Sequence, residues 1–163
     1  MRKSLLRLIL VLIVVIAAVA CDQSTKHFAR TSLRNTGTIR IIGDFFVLRY
    51  AENKGAFLSL GSNWPLSVRS IVFGALALFA VFGAAIYVIW QKQMNLLQTI
   101  LLSLVIGGGI GNLLDRWIHG GYVTDFMNIG IGKVRTGIFN VADVFLMVGV
   151  VLFVLIESKK KVK

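Results

Sequence analysis

The sequence predicts an α-helical membrane protein: four transmembrane helices with a small extracytoplasmic β-sheet. Composition is the first reason. The 163 residues are 56% apolar and 15% charged, with a mean hydropathy of +0.80, against roughly 45–50% and about 25% in a typical soluble domain. So few charges cannot cover so much apolar surface in water, and the same balance excludes intrinsic disorder. The second reason is that the apolar residues gather into four runs, each close to the roughly 20 residues that cross a hydrocarbon layer about 30 Å thick. The third is a separate stretch, 38–60, rich in β-forming residues.

The first span is read over 5–21, interrupted only by Arg7, whose long side chain can snorkel to the interface. Its basic tip and the run Ala18-Val19-Ala20-Cys21 mimic a lipoprotein signal with a modifiable cysteine. Three further spans follow, and Ala18 stands where such signals usually place a larger aliphatic residue, so Cys21 is read as a buried span residue. Ile39, Ile41, Phe45, Val47 and Tyr50 make the segment 38–60 a small sheet lying on the membrane surface, with Gly43-Asp44 as its turn. The second span is 66–90, opened by Pro65 and closed by the interfacial aromatics Tyr87 and Trp90. The third is 96–114, and its glycines 107, 108, 109 and 111 leave the helix almost bare for close packing. The fourth is 138–156, with Asp143 near its beginning. The whole chain, 1–163, reads as a single membrane domain, without repeat or linker.

Charge placement orients the spans. Three of the first seven residues and four of the last six are basic, so both termini are expected on the cytoplasmic side. The segments 22–65 and 115–137 then lie outside, although the first carries six basic residues spread over its length. The net charge of +11 flanks the apolar runs rather than forming an aromatic-laced patch, which suits an anionic membrane lipid surface and excludes nucleic acid as a partner. One cysteine and two isolated histidines, His27 and His119, exclude a disulfide framework and leave no metal site.

The chemistry is expected among the seven acidic residues. An ionised carboxylate inside a bilayer is costly, so intramembrane acids mark function by default. Asp22 and Asp115 stand at span ends, and Asp143 stands within a span. Asn112-x-x-Asp115 and Asn140-x-x-Asp143 share one spacing, each placing an amide and a carboxylate on one helix face, with Arg116 four residues from Asn112. Asp125 is expected in the outer loop, and 126–142, including Lys133 and Arg135, shows no interpretable pattern. Two carboxylates close together share a proton, so one can take a proton from water while the other protonates a carbonyl. That is aspartic-protease chemistry, and no phosphate loop or nucleophile elbow competes with it. Spacing alone leaves open which two of Asp115, Asp125 and Asp143 form the pair.

Five blocks, Asp22-Gln23-Ser24-Thr25-Lys26, Asn53-Lys54-Gly55-Ala56-Phe57, Gly111-Asn112-Leu113-Leu114-Asp115-Arg116, Val123-Thr124-Asp125-Phe126 and Phe139-Asn140-Val141-Ala142-Asp143, occur in the order seen in the lipoprotein signal peptidases (signal peptidase II). The chain resembles that family over essentially its whole length. The resemblance implies an aspartic endopeptidase of the bacterial cytoplasmic (inner) membrane, working near the extracytoplasmic face without a cofactor. Its substrates would be diacylglyceryl-modified prolipoproteins, cut before the lipidated cysteine, and globomycin-like cyclic peptides would inhibit it. By the same resemblance Asp125 and Asp143 are the catalytic pair, and Asn112, Asp115, Arg116 and Asn140 support it. Asp22, Lys26, Asn53 and Gly55 match further motif positions near the substrate groove. Arg116 is expected to pair with Asp115, Asp22 and Lys26 to form a helix-end ion pair, and the sheet around 45–57 to act as a lid. One departure from the family is a single Ala56 before Phe57, where two alanines are common. Two rival readings are a four-span proton-coupled transporter using buried Asp residues and a non-catalytic assembly protein docking through the glycine-rich span.

Overall fold

The structure is a computed structural model that describes residues 2–53, 64–91 and 93–161. Among the described residues four helices are long and apolar enough to cross a membrane: α1 (Arg2–Phe28), α2 (Leu66–Trp90), α3 (Leu96–Ile118) and α4 (Val141–Lys161). A π-helical turn, Ala29–Leu33, prolongs α1. The strands β1 (Thr38–Ile42), β2 (Phe46–Asn53), β3 (Val123–Ile131) and β4 (Val134–Arg135) form one antiparallel sheet in the order β1-β2-β3-β4.

The glycines of α3 decide the packing of the bundle. They turn in succession to three neighbours. A Cβ on Gly107 would lie 2.7 Å from the Ala18 Cβ of α1, one on Gly108 2.6 Å from the Ala142 carbonyl of α4, and one on Gly109 2.4 Å from Val81 of α2. The helix without side chains on these faces is therefore the one the others close upon, and most of its length is buried while the outer three expose their apolar faces. Gly149 answers from α4, where a Cβ would lie 2.7 Å from the Leu101 carbonyl. Beyond the glycines, Leu102, Ile106 and Val88 pack with Val11, Val15, Val81 and Phe153, so all four helices meet in one apolar cluster.

The two ends of the bundle differ. At one end Arg7 donates to the Gln91 carbonyl (2.6 Å), capping the last turn of α2. Asn95 and Gln98 form a reciprocal capping box that starts α3, and Gln98 reaches Glu157 near the end of α4. At the other end the sheet packs on the π-helical turn, with Ala29 and Leu33 buried against Phe126.

Several boundaries depart from the sequence reading. α1 does not stop at Cys21 but runs seven residues further, because Asp22 and Lys26 find buried partners and so carry the helix on. Cys21 itself is exposed on the outer face of α1, not buried. The stretch after Asp125 is not a patternless loop: it is β3, which joins the predicted hairpin and pairs with β2 from Phe46↔Ile129 to Asn53↔Val123. Arg135 belongs to this sheet, bonding Asn128 and Asp44. The fourth helix starts at Val141 instead of residue 138, since Phe139 is held in extended form beside Met127. The second span and the Gly43-Asp44 turn lie where the sequence placed them. Residues 54–63, with Gly55 and the last four residues of the expected lid, fall outside the described residues.

A side chain on the α3 face should separate the bundle. Gly108→Ala is expected to lower stability by about 1–3 kcal/mol through overpacking against the Ala142 backbone. Gly74→Ala, whose Cβ would meet nothing within 4 Å, should leave stability unchanged or slightly higher. Thermal unfolding of both variants in one detergent checks the contrast.

Candidate active site

Polar and charged side chains converge where α1, α3, α4 and the sheet meet, and most are fully buried. Buried charge is tolerated only when paired and hydrogen-bonded, and here each group has its partner. The centre is Lys26 of α1. Its Nζ lies 2.8 Å from Asp22 Oδ2, donates to Asn112 Oδ1 (2.9 Å) and lies 3.7 Å from Asp115 Oδ2. Asp22 and Lys26 thus form the expected ion pair near the end of α1, but one that is fully buried and turned inward to α3. The free oxygen of Asp22 accepts from the Ala142 amide (3.0 Å), so a residue of α1 caps the first turn of α4. Gly111 makes room for it, since a Cβ there would lie 2.4 Å from Asp22 Oδ2.

Asp115 ties α3 to the sheet. The chain leaves α3 through Gly120 and Gly121, at φ 64° and 93°, and turns tightly enough for the Thr124 amide to donate back to Asp115 Oδ2 (2.8 Å). Asp115 Oδ1 accepts from Gln23 (3.2 Å) and lies 3.5 Å from Arg30 Nη1, which also donates to Thr124 Oγ1 (3.0 Å). Arg116 does not pair with Asp115. Consecutive helical residues point in different directions, and Arg116 instead donates to the Asn112 carbonyl one turn back (3.2 Å). Gln23, Arg30 and Thr124 are members of this network that the sequence reading did not assign. The signal for Arg30 was the i, i+4 stripe Asp22-Lys26-Arg30 along one face of α1.

Asp143 lies within the fourth span, as expected, in the first turn of α4. Asn140 Oδ1 accepts from the Asp143 amide (3.0 Å) and Asp143 Oδ2 accepts from the Asn140 amide (3.1 Å). The Asn-x-x-Asp spacing is therefore a reciprocal capping box. Asp143 Oδ1 accepts from Asn112 Nδ2 (2.9 Å). Asp125 projects from β3 and receives one amide on each oxygen, Asn140 Nδ2 on Oδ1 (2.7 Å) and Asn53 Nδ2 on Oδ2 (2.8 Å). Asn140 also donates to Asn112 Oδ1 (3.2 Å), so two asparagines link Asp125 to Asp143. Burial first, and then the neighbouring Asp143 carboxylate, push the Asp125 carboxyl up to about 7; the Asn53 and Asn140 amides and Lys26 pull the other way. Such a carboxyl holds or gives up a proton near neutral pH, which is what acid–base work on a carbonyl requires. Among the described residues no group of three or more His, Cys, Asp or Glu is placed to hold a metal.

The arrangement can be compared with known proteins. A family model described as signal peptidase (SPase) II matches residues 14–158. Lipoprotein signal peptidases of Streptococcus thermophilus and Syntrophus aciditrophicus are each 33% identical over 156 residues, covering 96% of this chain and 97% and 96% of theirs. That of Francisella tularensis subsp. novicida is 34% identical over 151 residues, covering 91% of this chain and 92% of its own. Two solved structures of bacterial membrane enzymes, obtained by the in meso method at 2.3 and 1.9 Å, superpose with TM-scores of 0.80 and 0.75 at 27% and 26% identity. They cover 93% and 89% of this chain, and 88% and 90% of their own.

Two outcomes test the geometry apart from any activity. Lys26→Met leaves Asp22 and Asp115 buried without their cation and should cost about 3–5 kcal/mol, read as loss of folded protein on heating. Asp125, raised from 3.8 to about 7, keeps its proton in the fold where the unfolded chain has lost it. Its contribution to stability is therefore full at acid pH and is lost as pH rises from about 4 to about 7. Unfolding curves of the protein and of Asp125→Asn across this range should diverge, with the decline smaller in the variant.

Proposed function

Because the chain belongs to the signal peptidase II family, we propose that it removes signal peptides from prolipoproteins in the bacterial membrane, with Asp125 and Asp143 as an aspartic catalytic pair. The observation that carries the assignment of the pair is the amide linkage. Asp125 and Asp143 are the two carboxylates held by Asn112, Asn140 and Asn53, whereas Asp22 and Asp115 are taken up by Lys26 and Arg30. Salt-bridged carboxylates fixed to a lysine and an arginine serve as scaffold. Carboxylates held by neutral amides remain free to exchange a proton.

The chemistry follows from one proton on the pair, resting on Asp125. Asp143 takes a proton from a water as its oxygen attacks the scissile carbonyl carbon, and Asp125 gives its proton to the carbonyl oxygen. Asp143 then passes its proton to the leaving nitrogen while Asp125 takes one back from a hydroxyl of the tetrahedral intermediate, so that the C–N bond breaks and the pair is restored with one proton on Asp125. Asn112 and Asn140 hold the carboxylates in register throughout, because Asn140 bonds both Asp125 and Asp143 while Asn112 bonds Asp143 and Asn140. Arg116, beside Asn112 on α3, is available to the substrate since Asp115 is occupied elsewhere. The substrate is a prolipoprotein whose cysteine already carries a diacylglyceryl group, and its lipid stays in the leaflet while the peptide enters from the outer face. In this reading both termini lie in the cytoplasm, beside the end where Arg7 caps α2, and the sheet lies on the extracytoplasmic side. Globomycin-like cyclic peptides would occupy the same groove. A proton-coupled transporter would have its carboxylates near mid-membrane, whereas here they gather at one end beside a sheet.

The test is a gel-shift assay on a diacylglyceryl-modified prolipoprotein in detergent with added lipid. Asp125→Asn and Asp143→Asn, each with the wild-type elution profile, should lose cleavage by at least about 10²–10⁴-fold. A chelator should leave the wild type unaffected. Retained cleavage in either Asn variant would remove that residue from the pair.

A further inference from the structure

The far end of the sheet carries apolar side chains that no span accounts for. Ile41 and Ile42 end β1, Phe45 lies in the β1–β2 turn, and Ile131 and Val134 flank the β3–β4 turn; all are exposed, Ile131 at 75% and Val134 at 82%. Scattered exposed apolar residues are ordinary, but a contiguous group marks an interaction surface. These five are gathered at one end of the sheet because the two turns are locked together. Gly130 donates to the Phe45 carbonyl (2.9 Å), and Gly132 donates to Asp44 Oδ2 (3.1 Å). Arg135 Nη1 donates to the carbonyl (2.8 Å) and carboxylate (3.1 Å) of the same Asp44.

We propose that this double-turn tip is a membrane-anchoring surface that seats in the interface of an anionic leaflet. Two observations choose lipid over another occupant. The first is charge: Asp44 and Arg135 neutralise each other, and the remaining charged residues of the tip, Arg40 and Lys133, are both basic and exposed. Among the described residues neither is in an ion pair. Apolar side chains flanked by Lys and Arg form the pattern that lies in a headgroup layer. The second is continuity, for the lipid-facing surface of the bundle reaches the sheet's end of the molecule at the exposed Phe28 of α1 and Trp117 and Ile118 of α3. Since the chain is already held in the bilayer, the tip meets the leaflet as part of the same molecule, and a weak intrinsic affinity suffices. Seating it there sets the height of β2 and β3 over the membrane, and with them Asn53 and Asp125.

The experiment uses the full chain in nanodiscs with Cys21→Ser and an environment-sensitive fluorophore on Val134→Cys. In phosphatidylglycerol discs the probe should be quenched by doxyl-labelled lipid several-fold more than by aqueous iodide. Replacing phosphatidylglycerol with phosphatidylcholine should lower the ratio of seated to free tip by roughly fivefold for each of the two basic residues. Free quenching by iodide with none by doxyl lipid overturns the proposal, as does equal seating in both lipids. Disulfide-linked dimers through Val134→Cys without lipid quenching would assign the tip to a second copy and likewise overturn it. The readout needs no turnover, so it stands whatever becomes of the catalytic pair. Retained prolipoprotein cleavage by the labelled variant confirms that it is folded.

Discussion

The ammonium group of Lys26 is the constraint around which the polar end of this molecule is built. A buried cation is tolerable only beside compensating charge and fully used donors, and its neighbours come from α1 and α3: Asp22, Asn112 and Asp115. Each of those is then committed. Asp22 spends its other oxygen on the first turn of α4, Asp115 fixes the first residues of β3, and Asn112 turns its amide to Asp143. Moving the lysine would release the entrance of α4 and the start of β3 together, which are the elements that deliver Asp143 and Asp125.

The apolar half of the bundle answers to a different constraint. In lipid the helices have little hydrophobic reason to associate, so contact must come from close packing. The glycines of α3 provide it by letting a carbonyl of α4, a methyl of α1 and a valine of α2 approach within the space of an absent Cβ. The same stripe, one turn further, ends at Gly111 and admits a carboxylate instead. One run of small residues therefore serves both ends.

What could be read in the sequence, and what could not, divides along physical lines. The spans were legible because a bilayer imposes a length on apolar runs, and α2 begins and ends where Pro65 and Trp90 place it. The first span was read too short because Asp22 and Lys26 look like a terminus; only tertiary partners show that the helix continues through them. β3 was missed for a similar reason. Val123–Ile131 has no clean alternation, since its buried positions run consecutively, as they do in a strand covered on both faces. The Asn140-x-x-Asp143 spacing was seen, but as a shared helix face rather than as a cap. Arg116 was given to Asp115 on proximity in sequence, whereas a carboxylate so deeply buried belongs to whichever cations the fold brings, here Lys26 and Arg30.

The bond from the Ala142 amide to Asp22 joins residues 120 positions apart. During synthesis the first helix enters the membrane long before the last exists, so for most of that time Asp22 and Lys26 face a gap where α4 will stand. Asn140 and Asp143, which complete the site, arrive with the final helix. The cluster therefore assembles at the close of biogenesis, and a chain cut short before α4 carries an unfinished site instead of a weak one. If the cluster is the catalytic centre proposed above, then in a membrane crowded with half-translocated polypeptides it stays silent until the molecule bearing it is whole.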